Sequence, residues 1–237
     1  MTEKFKNRVV LITGGGRGIG AGTARLFAAE GAKVVVASRS EAELKAVIQE
    51  IESAGGQALA VVTDVSEENA VKKLFAAARS KFGPVDILVN NAAVFVGGDF
   101  VTTTVETWDQ IMAVNLRGTF LCAREFFAQG RSGAIVNISS LGGLRGTEKF
   151  KGFTPYSVSK FGIVGMTECL AVEGRELGIR VNCVAPGAVD TIMLKKAAPF
   201  LKTKTTPNDI AKIILFLSDE SESKAVSGTV VEVFSNS

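Results

Sequence analysis

The stretch Thr13-Gly14-Gly15-Gly16-Arg17-Gly18-Ile19-Gly20 joins a short apolar run, Val9–Thr13, to a segment of helical character that reaches Glu30. Glycines let a chain turn sharply at the end of a strand and let a ligand's phosphates approach the backbone closely. The helix that follows presents unsatisfied N–H groups and the positive end of its dipole to the same place. A glycine turn without a ligand has the same composition, so position has to decide. This turn closes the first strand of a strand–helix–strand unit, which favours a dinucleotide pyrophosphate. A Walker loop is excluded, because Ala21-Gly22 stands where Lys and Ser or Thr must follow Gly20.

The rest of the chain repeats that unit. Apolar runs at Val9–Thr13, Lys33–Ser38, Ala58–Val62, Val85–Asn90, Ala134–Ser139, Ile179–Val184 and Thr229–Val233 lack apolar/polar alternation, and most are rich in Val and Ile. Strands buried on both faces of a parallel sheet have this pattern. Between them, Leu44, Val47, Ile48 and Ile51 form one helical stripe, and Leu74 with Phe75, then Ile111, Met112, Asn115 and Leu116, repeat the habit. Gly31, Gly55, Gly83 and Gly178 stand where helices should stop. The alternation predicts an α/β, doubly wound Rossmann fold: one domain over residues 1–237, with a parallel sheet of about seven strands and helices on both faces.

At 237 residues, 46% hydrophobic and 22% charged, the chain is long enough to bury a core without staples. Lys and Arg number 27 against 24 acids, a net charge of +3 that is too small and dispersed to argue for nucleic acid. There is no histidine, which excludes Ser-His-Asp and Cys-His catalysis and His-ligated zinc, and no metal is expected. Proton transfer therefore falls to Tyr, Lys or a carboxylate. Cys122, Cys169 and Cys183, with no C-x-x-C, read as small core residues of a reduced, intracellular protein. The charged start Met1–Arg8 leads into an apolar run too short for a signal peptide or a membrane span, so the expected compartment is the cytoplasm, with no membrane partner.

The end of the second strand separates the two nicotinamide cofactors. A carboxylate there would bond the adenosine ribose 2′-OH and repel a 2′-phosphate. This chain has Ala37-Ser38-Arg39 and no acid. Arg39 and Arg17 offer forked guanidinium donors for a 2′-phosphate, so the expected cofactor is NADP(H) rather than NAD(H). Two exposed surface arginines are the plainer alternative.

The chain carries 15 phenylalanines and a single tyrosine, Tyr156. Lys160 follows four residues later in Tyr156-Ser157-Val158-Ser159-Lys160, so on a helix the two side chains share a face. Just upstream the fifth strand ends in Asn137-Ile138-Ser139-Ser140. Reducing a carbonyl takes hydride at carbon and a proton at oxygen. A phenol can give that proton, an ammonium beside it is expected to lower its pKa, and a serine hydroxyl can hold the substrate oxygen as charge develops.

On these motifs the sequence resembles the short-chain dehydrogenase/reductase family over nearly its full length. The family's T-G-x-x-x-G-x-G is similar to Thr13–Gly20, which implies cofactor contacts from Thr13, Gly14, Arg17, Gly18, Ile19 and Gly20, with Ser38 and Arg39 beyond them. Its Asp after the third strand resembles Asp64, next to Val65, at the adenine. Its N-N-A-G resembles Asn90-Asn91-Ala92-Ala93, implying Asn91 and Ala92 at the cofactor wall, with Ala93 in place of the last glycine. Its nicotinamide loop resembles Pro186-Gly187-Ala188-Val189-Asp190-Thr191, where the Val189 backbone and the Thr191 hydroxyl would hold the carboxamide. The family's catalytic set falls on Asn115, Ser140, Tyr156 and Lys160. The resemblance implies Tyr156 as general acid/base, Lys160 as pKa modifier and ribose ligand, Ser140 polarising the carbonyl, and Asn115 holding a relay water. It also implies a homotetramer or homodimer.

Three departures stand out. The segment Leu141–Pro155 carries extra residues around Thr147–Gly152 and should border the pocket. Thr191–Pro207, where the family has a substrate lid, is short. After the last strand the chain reads Glu232-Val233-Phe234-Ser235-Asn236 where the family has V-D-G-G. The expected function is an NADP(H)-dependent oxidoreductase interconverting a small-molecule ketone or aldehyde and an alcohol, with Phe95, Val96, Leu141, Leu144, Phe153, Ala188, Met193 and Leu194 as mostly apolar pocket candidates. A 3-oxoacyl-carrier-protein reductase is the specific activity the resemblance suggests, with Arg131 as one docking cation and Leu177 where a second would stand. The other class kept open is a catalytically silent NADP(H)-binding regulator.

Overall fold

The computed structural model describes residues 3–235; Met1 and Asn236, used above for the two ends, lie outside that range. Its first half runs β1 (Val9–Thr13), α1 (Gly18–Ala29), β2 (Lys33–Ser38), α2 (Glu41–Ser53), β3 (Gln57–Val62), α3 (Glu68–Phe82), β4 (Ile87–Asn90), α4 (Val105–Ile111) and α5 (Gly118–Phe127). The second half runs β5 (Gly133–Ile138), α6 (Thr154–Glu173), β6 (Ile179–Pro186), α7 (Ile192–Ala197), α8 (Pro207–Ser218), α9 (Glu220–Ser223) and β7 (Val230–Val233). All these strands lie in one sheet, in the order β3-β2-β1-β4-β5-β6-β7, and every neighbouring pair is parallel.

The absence of alternation in the strand runs is explained by what covers them. On one face Val10, Ile12, Val34, Val36 and Val89 pack with Phe27 of α1, Leu44 of α2 and Ile214 of α8. On the other, Val9, Leu11, Val35, Leu88 and Ile135 pack with Leu74 of α3 and with Leu121 and Phe126 of α5. Burying a Leu, Ile or Phe fully contributes about 1.5–3 kcal/mol, and two such layers make the sheet the rigid part of the molecule.

Three local expectations need correcting. The stripe Ile111–Leu116 is not one regular helix: between α4 and α5 the chain widens into a π-helical turn, Met112–Arg117, which places Asn115 inside the protein. α6 stops at Gly174, and Gly178 instead forms the turn before β6. Cys122 and Cys183 are buried, but Cys169 is exposed. It lies two residues past the buried Thr167, hence on the opposite side of α6. No helix among the described residues is long and apolar enough to cross a membrane.

Candidate active site

β1 and β4 are neighbours, but the chain leaves β1 toward β2 on one side and returns to β4 only after β3. At such a switch point the loops diverge and open a crevice beyond the carboxyl ends of the strands. A cavity of about 950 Å³ fills it, reaching from Gly14 and Arg17 past Arg39 and Asp64 to Tyr156 and Thr191.

Its floor at the glycine turn is mostly backbone. α2, α4, α7 and α8 each begin with a side-chain cap, from Ser40, Thr104, Thr191 and Thr206. α1 does not: Arg17 is extended at its N-cap, no side chain caps the helix, and its first turn holds no acid. An uncapped helix start facing a cavity is a ready anion site, so the donor set fits a dinucleotide's pyrophosphate. Gly14, at φ 64°, passes so close to the next loop that a Cβ there would lie 2.8 Å from the Asn91 amide nitrogen. Two of the expected residues stand behind this floor. The Thr13 hydroxyl, on a residue only 2% exposed, accepts the backbone N–H groups of Asn91 and Ala92 at 3.1 Å each, latching β1 to β4. Gly20 is glycine because a Cβ would sit 2.3 Å from the Gly14 carbonyl oxygen. Neither lines the cavity; Gly14, Arg17, Gly18, Ile19, Asn91 and Ala92 do.

At the end of β2, Ser38 and Arg39 line the cavity with Asp64 and Val65 from beyond β3. Burial of Asp64 raises its pKa, but the N–H and hydroxyl of Ser66, with Arg39 and Arg117, outweigh that and hold the carboxyl below its ordinary value. Glu43 is a lining residue the motif reading missed; it pairs with Arg17 at 3.1 Å. The S-x-x-E spacing of Ser40 and Glu43 was the available signal, since it marks a helix start. The serine does cap Glu43, while the glutamate reaches for Arg17.

The other end of the cavity lies where β5 meets α6. Ser139 is buried and donates its hydroxyl to the Lys160 carbonyl at 2.9 Å, which ties α6 to the sheet. Ser140 lines the cavity, its hydroxyl accepts the Gly142 N–H at 3.1 Å, and it stands near enough to Tyr156 to favour the ionised phenol. Lys160, 2% exposed, donates its Nζ to the Ile138 carbonyl at 2.7 Å and lies 5.5 Å from the centroid of the Tyr156 ring. The expected lowering of the phenol by the ammonium is not what the structure shows. Although part of Tyr156 faces the cavity, burial pushes the phenol up to about 12, and the Ser140 hydroxyl offsets only some of that. Burial likewise pulls Lys160 down to about 8. Asn115 is held by its own hydrogen bonds. It does not line the cavity: its amide brackets Val94, accepting N–H at 2.8 Å and donating to the carbonyl at 3.0 Å. It also donates to the Ser159 hydroxyl at 3.0 Å, so the side chain is a clamp between the loop after β4 and the helix of Tyr156.

The short chain dehydrogenase family profile matches residues 8–202. The chain belongs to the short-chain dehydrogenase family. A (2S)-[(R)-hydroxy(phenyl)methyl]succinyl-CoA dehydrogenase subunit of Thauera aromatica is 39% identical over 242 residues, covering 97% of this chain and 96% of its own. A 3-oxoacyl-[acyl-carrier-protein] reductase of Thermotoga maritima is 35% identical over 245 residues, with 97% of each chain covered. An actinorhodin polyketide ketoreductase variant, crystallised with NADPH, superposes with a TM-score of 0.87 at 31% identity over 99% of this chain and 97% of its own. As a short-chain dehydrogenase the chain is an oxidoreductase of the carbonyl–alcohol kind that uses a nicotinamide cofactor.

Pro186, Gly187, Val189 and Thr191 of this dehydrogenase line the cavity opposite the glycine turn, and the Thr191 hydroxyl also caps α7. On the substrate side the long loop after β5 does border the pocket, through Arg145, Thr147, Phe150 and Phe153. Of the apolar candidates, Phe95, Leu141, Ala188, Met193 and Leu194 line it as well. Val96 points outward and Leu144 is buried beneath. Arg131 sits just before β5, at the opposite end of the sheet, paired with Asp86 at 2.9 Å.

Proposed function

We propose that this short-chain dehydrogenase reduces a ketone or aldehyde with NADPH, Tyr156 supplying the proton. What carries the reading is the convergence of Tyr156, Ser140 and Lys160 on one wall of the cavity that begins at the glycine turn. Arg17, Arg39 and Ser38 would hold the 2′-phosphate, the start of α1 the pyrophosphate, and Thr191 with Val189 the carboxamide. When bound, NADPH supplies the hydride to the carbonyl carbon. The chain's own part is the proton: the Tyr156 Oη gives it to the carbonyl oxygen while the Ser140 Oγ donates a hydrogen bond to the same oxygen. A phenol raised to about 12 is fully protonated at neutral pH, and an ammonium lowered to about 8 is still mostly charged there. That pair of states suits reduction, because the acid is loaded and a cation waits beside the phenolate it leaves. Asn115 acts as a positioning residue, holding the helix of Tyr156 against the loop after β4.

The NADPH in the ketoreductase structure supports the cofactor choice. The reading extends to a cytoplasmic protein working as a homotetramer or homodimer; exposed apolar side chains such as Phe120 on α5 and Phe161 on α6 support self-association. The test is NADPH oxidation across a panel of carbonyl compounds. Turnover on at least one ketone, lost in Tyr156→Phe with NADPH affinity retained, is the expected result. Tight NADPH binding with no turnover on any carbonyl would make the chain a silent cofactor-binding protein.

A further inference from the structure

Aromatic rings run outward from the reactive hydroxyl in an unbroken series. Tyr156 lies edge-on to Phe95 with centroids 5.5 Å apart, and Phe95 meets Phe153 at 4.5 Å. Phe153 meets Phe150 at 5.6 Å, and Phe150 meets Phe200, in the segment after α7, at 5.8 Å. Core packing accounts for phenylalanines such as Phe27 and Phe126, both fully buried. It does not account for Phe95, Phe150 and Phe153, which are only partly buried, belong to neither core layer and line the cavity. Phe153 stands at the N-cap of α6, three residues before Tyr156, and a backbone bond from the Gly98 N–H to the Gly152 carbonyl joins the two loops that carry the rings. The rings are therefore held in fixed relation to the phenol.

We infer that the substrate is an aryl or fused-ring ketone, or the matching secondary alcohol, whose ring lies along Phe95 and Phe153 with its oxygen at Tyr156. Phe153 and Phe150 then set specificity. Partly open rings gain from a second aromatic face in offset or edge contact, and a short aliphatic chain cannot supply one. The inference rests on the reading of Tyr156 as the acid.

The test gives the purified protein NADPH with β-tetralone, acetophenone and butanone. kcat/KM for the two aryl ketones should exceed that for butanone by about tenfold or more. Phe153→Leu, which keeps an apolar side chain but removes the ring, should lower kcat/KM for the aryl ketones by about tenfold more than kcat/KM for butanone. Should thermal unfolding show that variant destabilised, Phe150→Leu is expected to act in the same direction. Equal kcat/KM for aryl and aliphatic ketones, or an equal loss for both in the variant, overturns the inference while leaving the reductase reading intact. If no carbonyl is turned over, the reductase reading fails, and fluorescence titration with β-naphthol decides the shelf alone. Binding that weakens severalfold in Phe153→Leu supports it; no binding, or binding indifferent to the variant, overturns it.

Discussion

At the carboxyl end of β1 the cavity is walled by backbone: an uncapped helix, a glycine turn and a loop latched to it by Thr13. At the carboxyl end of β5 the same cavity is lined by side chains: Ser140, Tyr156, Lys160 and a series of phenylalanines. The first design suits a ligand part that never varies, since backbone N–H groups are the same whatever the residue. The second suits chemistry and selectivity, which need particular functional groups held at particular pKa values. If that division is real, substitutions in the β5 region should strike turnover, and those in the β1 region should strike stability and cofactor choice.

The largest effect is expected from Tyr156→Phe, which keeps the ring and its contact with Phe95 but removes the proton. kcat should fall by roughly 100- to 10,000-fold, with the dissociation constant for NADPH within about twofold. A matching loss of NADPH affinity would mean that the two regions are not separable. Next comes the buried ammonium. Lys160 has a folded pKa of about 8 against an ordinary value of 10.5, so between those pH values the unfolded chain binds a proton that the folded one does not. Its contribution to stability therefore rises with pH across that window, by about 3 kcal/mol at most. In chemical denaturation, wild type should gain on Lys160→Met between pH 8 and 10.5, whereas a constant difference would show the ammonium to be better solvated than its burial suggests. Tyr156 works in the opposite sense, its raised pKa costing stability only as pH climbs from 10 toward 12. Reductive turnover should decline above about pH 8 as Lys160 loses its charge.

Thr13→Val probes the other region. The change is nearly isosteric but leaves the N–H groups of Asn91 and Ala92 without their acceptor. A cost of about 2 kcal/mol is expected, lowering Tm by roughly 4–8 °C. Turnover per folded molecule at saturating NADPH should hardly change. A large drop in kcat instead would put Thr13 back at the ligand.

The same division explains what could be read from the sequence. β1 and β2 match their apolar runs to the residue and the other strands to within a few, because strands covered on both faces leave uninterrupted Val and Ile runs. Tyr156 and Lys160 could be paired because helical spacing is periodic. Thr13, Gly20 and Asn115 belong to motifs, but a motif records that a residue type is required without saying whether it touches a ligand or holds what does. Asn115 also depends on a π-helical turn that regular spacing cannot announce. Phe95 and Phe153 could be named from the sequence as pocket candidates, but their stacking with Phe150 could not, for a third reason. Phe95, Phe153 and Phe150 come from two loops joined by a single backbone bond, and local pattern carries no information about such pairings.

The smallest effect, and the sharpest for the β1 region, concerns the two arginines. Arg17 is already paired with Glu43 at 3.1 Å, whereas Arg39 comes no nearer than 4.0 Å to Asp64. Both side chains are more than half exposed, at 58% and 59%, so solvent screens whatever they hold. A 2′-phosphate should draw mainly on Arg39, the guanidinium with fewer prior commitments. Arg39→Ala is accordingly expected to lower kcat/KM for NADPH by about tenfold, equivalent to about 1.4 kcal/mol, with Arg17→Ala costing less. kcat/KM for NADH should stay within about twofold in both variants, since a ribose 2′-OH has no charge to lose. Parallel losses with NADPH and NADH would show that the arginines act on the turn itself, and the cofactor preference would have to be sought elsewhere in the cavity wall.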